Sequence, residues 1–154
     1  MGNRRKFVKT AAGWALACEA LVTIGVAGCS GGGDDDDDGP TPTPGPTPVG
    51  GILTLPLAQY PQLNEVDGDQ VFTITGTGRI IVAQITAGTF VCIRGTCPHE
   101  GGTLFWDSGG NEFECALHHS TFDTSGNVMT GRAVTDVPSY PTTFDGTNIV
   151  IDLS

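Results

Sequence analysis

The chain has 154 residues, enough for one ordinary domain, with 38% apolar and 16% charged residues. Its formal charge is −10, and four of its seven basic residues (Arg4, Arg5, Lys6 and Lys9) fall in the first nine positions. So acidic a body excludes nucleic-acid binding through basic patches and predicts attraction to basic partner surfaces.

Residues 3–9 read Asn-Arg-Arg-Lys-Phe-Val-Lys and resemble the twin-arginine export signature. The apolar run Ala11 to Ala27 is 17 residues long and interrupted by Glu19. That is short for a spanning helix and suited to a signal-peptide core; the alternative is an uncleaved anchor. The run ends in Val26-Ala27-Gly28-Cys29, similar to a bacterial lipobox. A signal peptide over 1–28 and lipidation of Cys29 are therefore expected, and several acyl chains on one residue suffice for stable anchoring. Cleavage there leaves Arg79, Arg94 and Arg132 against sixteen acids, a charge of −13. The expected location is the bacterial membrane, facing the periplasm. Ser30 after the lipidated Cys favours the outer one.

Residues 29–50 read as a linker. Gly31-Gly32-Gly33 and five Asp (34–38) precede prolines at every second position from Pro40 to Pro48. Self-repelling charge and polyproline geometry predict an extended tether, and the 21 residues from Ser30 to Gly50 reach roughly 65 Å at about 3.1 Å each. The folded domain is expected over 51–154. Leu57 to Leu63 predicts a short helical turn broken by Pro61, with both leucines as core anchors. Strands are predicted over 71–75, 79–85, 89–94, 113–115, 142–144 and 148–153, half-buried and rich in Ile, Val, Thr and Phe. Asp145-Gly146 marks the last hairpin. No segment has helical periodicity, so the fold class is all-β, with loops inserted between strands.

Two of those loops carry the chemistry. Cys97-Pro98-His99 is followed, fifteen residues on, by Cys115-Ala116-Leu117-His118. Each pair is close enough for one loop to aim both side chains at a single point. Two thiols with two imidazoles suit an iron–sulfur cluster or zinc, although zinc sites more often open with C-x-x-C. A Cys97–Cys115 disulfide, favoured by an exported setting, would leave both histidines unexplained.

The C-x-H and C-x-x-H spacing resembles the Rieske iron–sulfur proteins. The likeness extends over residues 52–154, through Gly101, Ser120, Phe122-Asp123, Gly126, Gly131, Ala133 and Tyr140-Pro141. It implies an antiparallel β-sandwich with a small cluster-binding subdomain formed by the two ligand loops. It further implies one [2Fe–2S] cluster, with Cys97 and Cys115 on the inner iron and His99 and His118 on the outer. High-potential members have a disulfide where this chain has Gly102 and Leu117, and a hydrogen-bonding Tyr where it has Phe122. Ser120 is kept, so a potential in the low or middle part of the Rieske range is expected. His119 replaces a usual Gly and is expected to be exposed beside the cluster. Arg132 replaces a Pro in the covering loop, where its charge is expected to raise the potential or to help dock a partner; the alternative is an ordinary surface residue. Cys92 is expected as a buried core thiol, and Phe105 and Trp106 as packing beneath the cluster.

The function expected is that of a membrane-tethered one-electron carrier, with cytochromes or oxidoreductase complexes as redox partners. The alternative is an electron-relay subunit of a larger envelope oxidoreductase, quinol- or arsenite-oxidase-like. With three His in all, two of them used, the chain lacks the ligands for the mononuclear iron of a Rieske oxygenase. A zinc-stabilised binding module on a tether is the third class.

Overall fold

The computed structural model describes residues 39–154. The chain divides into two units, Met1–Gly33 and Asp34–Ser154, and the described residues belong to the second. The export signature, the apolar run, the lipobox and the Asp block lie outside the described residues. Among those described, no helix is long and apolar enough to cross a membrane.

The regular structure is strands plus two short 3₁₀ turns, Leu57–Gln59 and Pro61–Asn64. The strands are β1 (Thr43–Pro44), β2 (Ile52–Pro56), β3 (Asp69–Ile74), β4 (Gly78–Thr86), β5 (Thr89–Arg94), β6 (Leu104–Asp107), β7 (Glu112–Cys115), β8 (Thr121–Phe122), β9 (Val128–Thr130), β10 (Thr142–Phe144) and β11 (Asn148–Asp152). They form three sheets, ordered β1-β3-β4-β5, β10-β11-β2 and β6-β7-β8-β9. Every pairing is antiparallel except β1 with β3.

The β3-β4-β5 sheet is the middle layer. Val71, Ile81, Ala83 and Ile93 on one face pack with Leu104, Trp106, Phe113 and Phe122. On the other face Phe72, Ile74, Ile80, Val82 and Cys92 pack with Leu53, Leu55, Leu63, Ile149 and Ile151. Period-2 alternation sends neighbouring residues to opposite faces, so the unbroken run Ile80-Ile81-Val82-Ala83 feeds both cores. The expected half-burial is corrected here: these four residues are 0% exposed. A continuous apolar run marks a strand covered on both faces. Of the two expected anchors, Leu63 is fully buried and Leu57 only packs against the core edge.

The linker also departs from expectation. Thr43 and Pro44 pair in parallel with Phe72 and Thr73. Gly45 N–H donates to the Thr73 carbonyl (3.1 Å), and the Gln70 amide donates to Thr43 Oγ1 (2.8 Å). Part of the Pro-rich stretch is thus the edge strand of the middle sheet. Threonine and glycine supply what the alternating prolines lack, and proline is tolerated at an edge.

At the last hairpin, Asp145 Oδ1 accepts the N–H groups of Asn148 (2.7 Å) and Thr147 (2.8 Å). Bonds from the Asn148 main chain and side chain, then from Thr147, hold this carboxyl below its ordinary range. A depressed folded value stabilises above about pH 4, the unfolded value, and that contribution is lost as pH falls through the folded one. Asp145→Asn is therefore expected to flatten the acid limb of stability against pH below about pH 4, as read from urea midpoints.

Candidate metal centre

Both loops expected to carry ligands have the same backbone. In the first, Cys97 N–H donates to the Gly102 carbonyl (2.8 Å) and Gly101 N–H to the Cys97 carbonyl (3.0 Å). In the second, Cys115 N–H donates to the Ser120 carbonyl and His119 N–H to the Cys115 carbonyl, both 2.9 Å. The fifth position of each is left-handed, Gly101 at φ 81° and His119 at φ 54°. Glycine takes that conformation freely, while His119 is one of three described non-glycine residues with positive φ. Ala116 N–H donates to the Thr103 carbonyl (3.0 Å) and joins the loops. The Arg79 guanidinium, from β4, donates to Thr103 Oγ1 (2.6 Å) at the base of the first loop.

The loops bring Cys97 beside Cys115 and His99 against His118. The two thiols are 2% and 1% exposed and unbridged, so the disulfide considered from the sequence is not formed. Burial, moderated by the His99 N–H and reinforced by the neighbouring Cys115 thiol, pushes Cys97 up to about 11. Such a thiol keeps its proton at neutral pH unless a cation takes its place. The His99 and His118 rings meet edge to face, centroids 5.1 Å apart and planes at 82°. Each has its Nδ1 buried without a hydrogen-bond partner. Buried polar atoms without partners cost about 1–3 kcal/mol each, so two imidazole nitrogens left this way beside two buried thiols point to a bound cation. A donor set of two sulfurs and two nitrogens fits iron of the Rieske type, and zinc.

His119, by contrast, has its side chain 77% exposed and pairs with Glu114. Cys92 lies in the opposite core, where burial raises its thiol. Trp106 packs in the core that contains Cys97 and Cys115, edge to face with Phe113 at 5.0 Å. Phe122 is fully buried in that same core. Ser120 is also fully buried, and its Oγ accepts the N–H groups of Arg132 (2.9 Å) and Ala133 (3.0 Å). Arg132 itself is exposed. Sequence reasoning missed Glu100, whose carboxylate lies 3.5 Å from His118 Nδ1 and 3.9 Å from His99 Nε2. With both rings it forms a three-residue group close enough to share an ion. Glu100 is half-exposed, however, while the cysteines line the buried side. Only its place between the ligand residues hinted at it.

Gly102 and Leu117 are also neighbours. A Cβ on Gly102 would stand 2.9 Å from Leu117 Cγ and 2.9 Å from Cys115 Sγ. Leu117 Cγ lies where a cysteine sulfur would, at close to disulfide separation. The Gly102→Cys, Leu117→Cys pair is expected to close a bridge in air, read as two thiols lost. It should add about 2–4 kcal/mol of stability in denaturant. Gly102→Cys alone only crowds Cys115.

The Rieske [2Fe-2S] domain model matches residues 56–141, and the chain belongs to that family, whose members bind a [2Fe–2S] cluster. It is 30% identical over 103 residues to the cytochrome b6-f complex iron-sulfur subunit of Prochlorococcus marinus strain AS9601, covering 67% of this chain and 54% of the relative. The chain therefore spans about half the length of the curated relatives it matches. It is similar in fold to the ferredoxin of carbazole 1,9a-dioxygenase from Nocardioides aromaticivorans IC177, with a TM-score of 0.54 and 23% identity over 66% of this chain and 95% of that one. The cyanobacterial plasma membrane Rieske protein PetC3 from Synechocystis PCC 6803 aligns at TM-score 0.44 with 31% identity, over 50% of this chain and 79% of that one.

Proposed function

We propose that Cys97, His99, Cys115 and His118 hold the [2Fe–2S] cluster, and that the chain is a one-electron carrier tethered to the bacterial cell envelope. The observation that carries the ligand set is the pair of buried Nδ1 atoms without hydrogen-bond partners, on the same two matched loops as two buried, unbridged thiols. The cluster supplies a one-electron couple. The protein's part is to exclude water on the cysteine side and leave the histidine edges near the surface, with side chains 26% and 28% exposed. An electron can pass at that edge without the fold opening. Phe122, which offers no hydroxyl, supports a potential in the low or middle part of the roughly −150 to +300 mV Rieske range.

The tether rests on the paired arginines at 4–5, the lipobox at 26–29 and Cys29. Twin-arginine export carries folded proteins, which suits a cofactor inserted in the cytoplasm. The acidic body favours a basic redox partner, such as a cytochrome, whose association weakens as salt rises. A second reading, an electron-relay subunit of a larger, quinol-oxidising complex, is favoured by the relatives named as cytochrome b6-f complex subunits.

The test uses the full chain in a bacterial host. Two irons and two sulfides per chain are expected, with a rhombic EPR signal after dithionite reduction. A single zinc without sulfide would leave a zinc-stabilised binding module. Fractionation is expected to place the chain with membranes and Cys29→Ala in the soluble periplasm. Co-purification at high salt separates a complex subunit from a free carrier.

A further inference from the structure

The Ser120 hydroxyl lies two residues beyond His118 and is fully buried. A serine oxygen has two lone pairs and one proton. Here Arg132 N–H (2.9 Å) and Ala133 N–H (3.0 Å) take both lone pairs, which leaves the proton one direction. Among the described residues nothing accepts it.

We propose that Arg132 is a positioning residue that acts through its main chain: with Ala133, its N–H locks the Ser120 hydroxyl so that the proton is presented to the cluster. This rests on the ligand set proposed above. The guanidinium is exposed, where its charge is screened. The N–H, by contrast, reaches a buried oxygen beside the ligand loop. A proline here, as in the family pattern, has no N–H; one lone pair would stay open and the hydroxyl could turn. Gly131 makes the approach possible. At φ 97° it passes so close that a Cβ would stand 2.4 Å from Ser120 Cα and 2.6 Å from Oγ. A hydroxyl proton held toward a group that gains negative charge on reduction favours the reduced form. No bond is made or broken.

The experiment is a redox titration of the whole, cluster-loaded chain, with iron and sulfide content and the EPR line shape recorded for each variant. Arg132→Gln keeps the N–H and removes the charge, and is expected to leave the potential unchanged. Arg132→Pro removes the N–H and should lower the potential by roughly a fivefold shift of the one-electron equilibrium, about 40 mV. Ser120→Ala should lower it at least as far, and Arg132→Pro added to Ser120→Ala should lower it no further. An Arg132→Gln effect equal to that of Arg132→Pro would overturn the proposal, as would a loaded Arg132→Pro variant with the wild-type potential or an equal Arg132→Pro effect without the Ser120 hydroxyl. If Arg132→Pro does not fold, hydrogen exchange decides. Ser120→Ala is expected to speed exchange of the Arg132 and Ala133 amides at least tenfold relative to that of Gly126, which donates to the Asp123 carbonyl. Unaltered exchange would overturn it equally. A wild-type chain that takes up no iron or sulfide defeats the ligand set itself, a result distinct from a loaded cluster indifferent to Arg132→Pro.

Discussion

Replacing Cys97 or Cys115 by alanine is expected to yield a protein without iron or sulfide, while Cys92→Ala keeps the full complement. All three thiols are buried and unbridged, so burial alone does not separate them; position does. Cys97 and Cys115 open the two matched loops and sit among Leu104, Trp106 and Phe113. Cys92 points the other way from β5, among Leu53, Phe72 and Ile149. Removing a thiolate from the proposed four-residue donor set would leave an iron position with no protein atom to fill it, because the surroundings are apolar. Removing the Cys92 thiol deletes a small apolar group and should cost about 1 kcal/mol. Iron and sulfide analysis gives the first comparison, and urea midpoints the second.

The second large effect falls on a residue without a side chain. Gly131→Ala is expected to destabilise the fold by about 3–5 kcal/mol, a large part of the roughly 5–15 kcal/mol that holds a domain together. Two costs combine. The backbone at φ 97° is one that an L side chain seldom adopts, and the new Cβ would stand 2.4 Å from Ser120 Cα. Main-chain atoms cannot swing aside, so the covering loop must lift and the two N–H bonds to Ser120 are lost. Gly146→Ala is the control. Its φ is 94°, yet nothing lies within 4 Å of the added atom, so only the conformational cost of about 1–2 kcal/mol remains. Denaturant unfolding of the two variants separates clash from strain. If both cost the same, the covering loop is not pressed against Ser120 as described.

Much of the fold was legible in the sequence. Strands over 89–94 and 142–144 appear where turn chemistry and β-branched runs placed them, and Asp145-Gly146 makes the predicted hairpin. These signals are local. What was missed is short or pairs at long range: β6, β8 and β9 have two to four residues each, too few for periodicity to register. Strand β1 hides in a proline-rich stretch that composition reads as spacer, because only the exposed edge of β3 gives Thr43 and Gly45 something to bond. The double burial of β4 was likewise unreadable, since a continuous apolar run does not say what will cover either face.

The residues proposed to bind the cluster divide in the same way. Cys97, His99, Cys115 and His118 stand out by residue type and spacing, because few chemistries need two thiols and two imidazoles at those intervals. Which histidine of the 118–119 pair faces His99 was suggested by spacing and decided by backbone, since the left-handed turn at 119 sends that ring out to Glu114. Ser120 could be singled out from the sequence, but its partners could not. The N–H groups of Arg132 and Ala133 carry no residue code, and only the crossing of two loops at Gly131 brings them to it. The sequence by itself determined the chemistry available and the all-β class. Tertiary structure decided which donors converge and which protons are left to give, because hydrogen bonds between distant backbones depend on where the folded chain crosses itself.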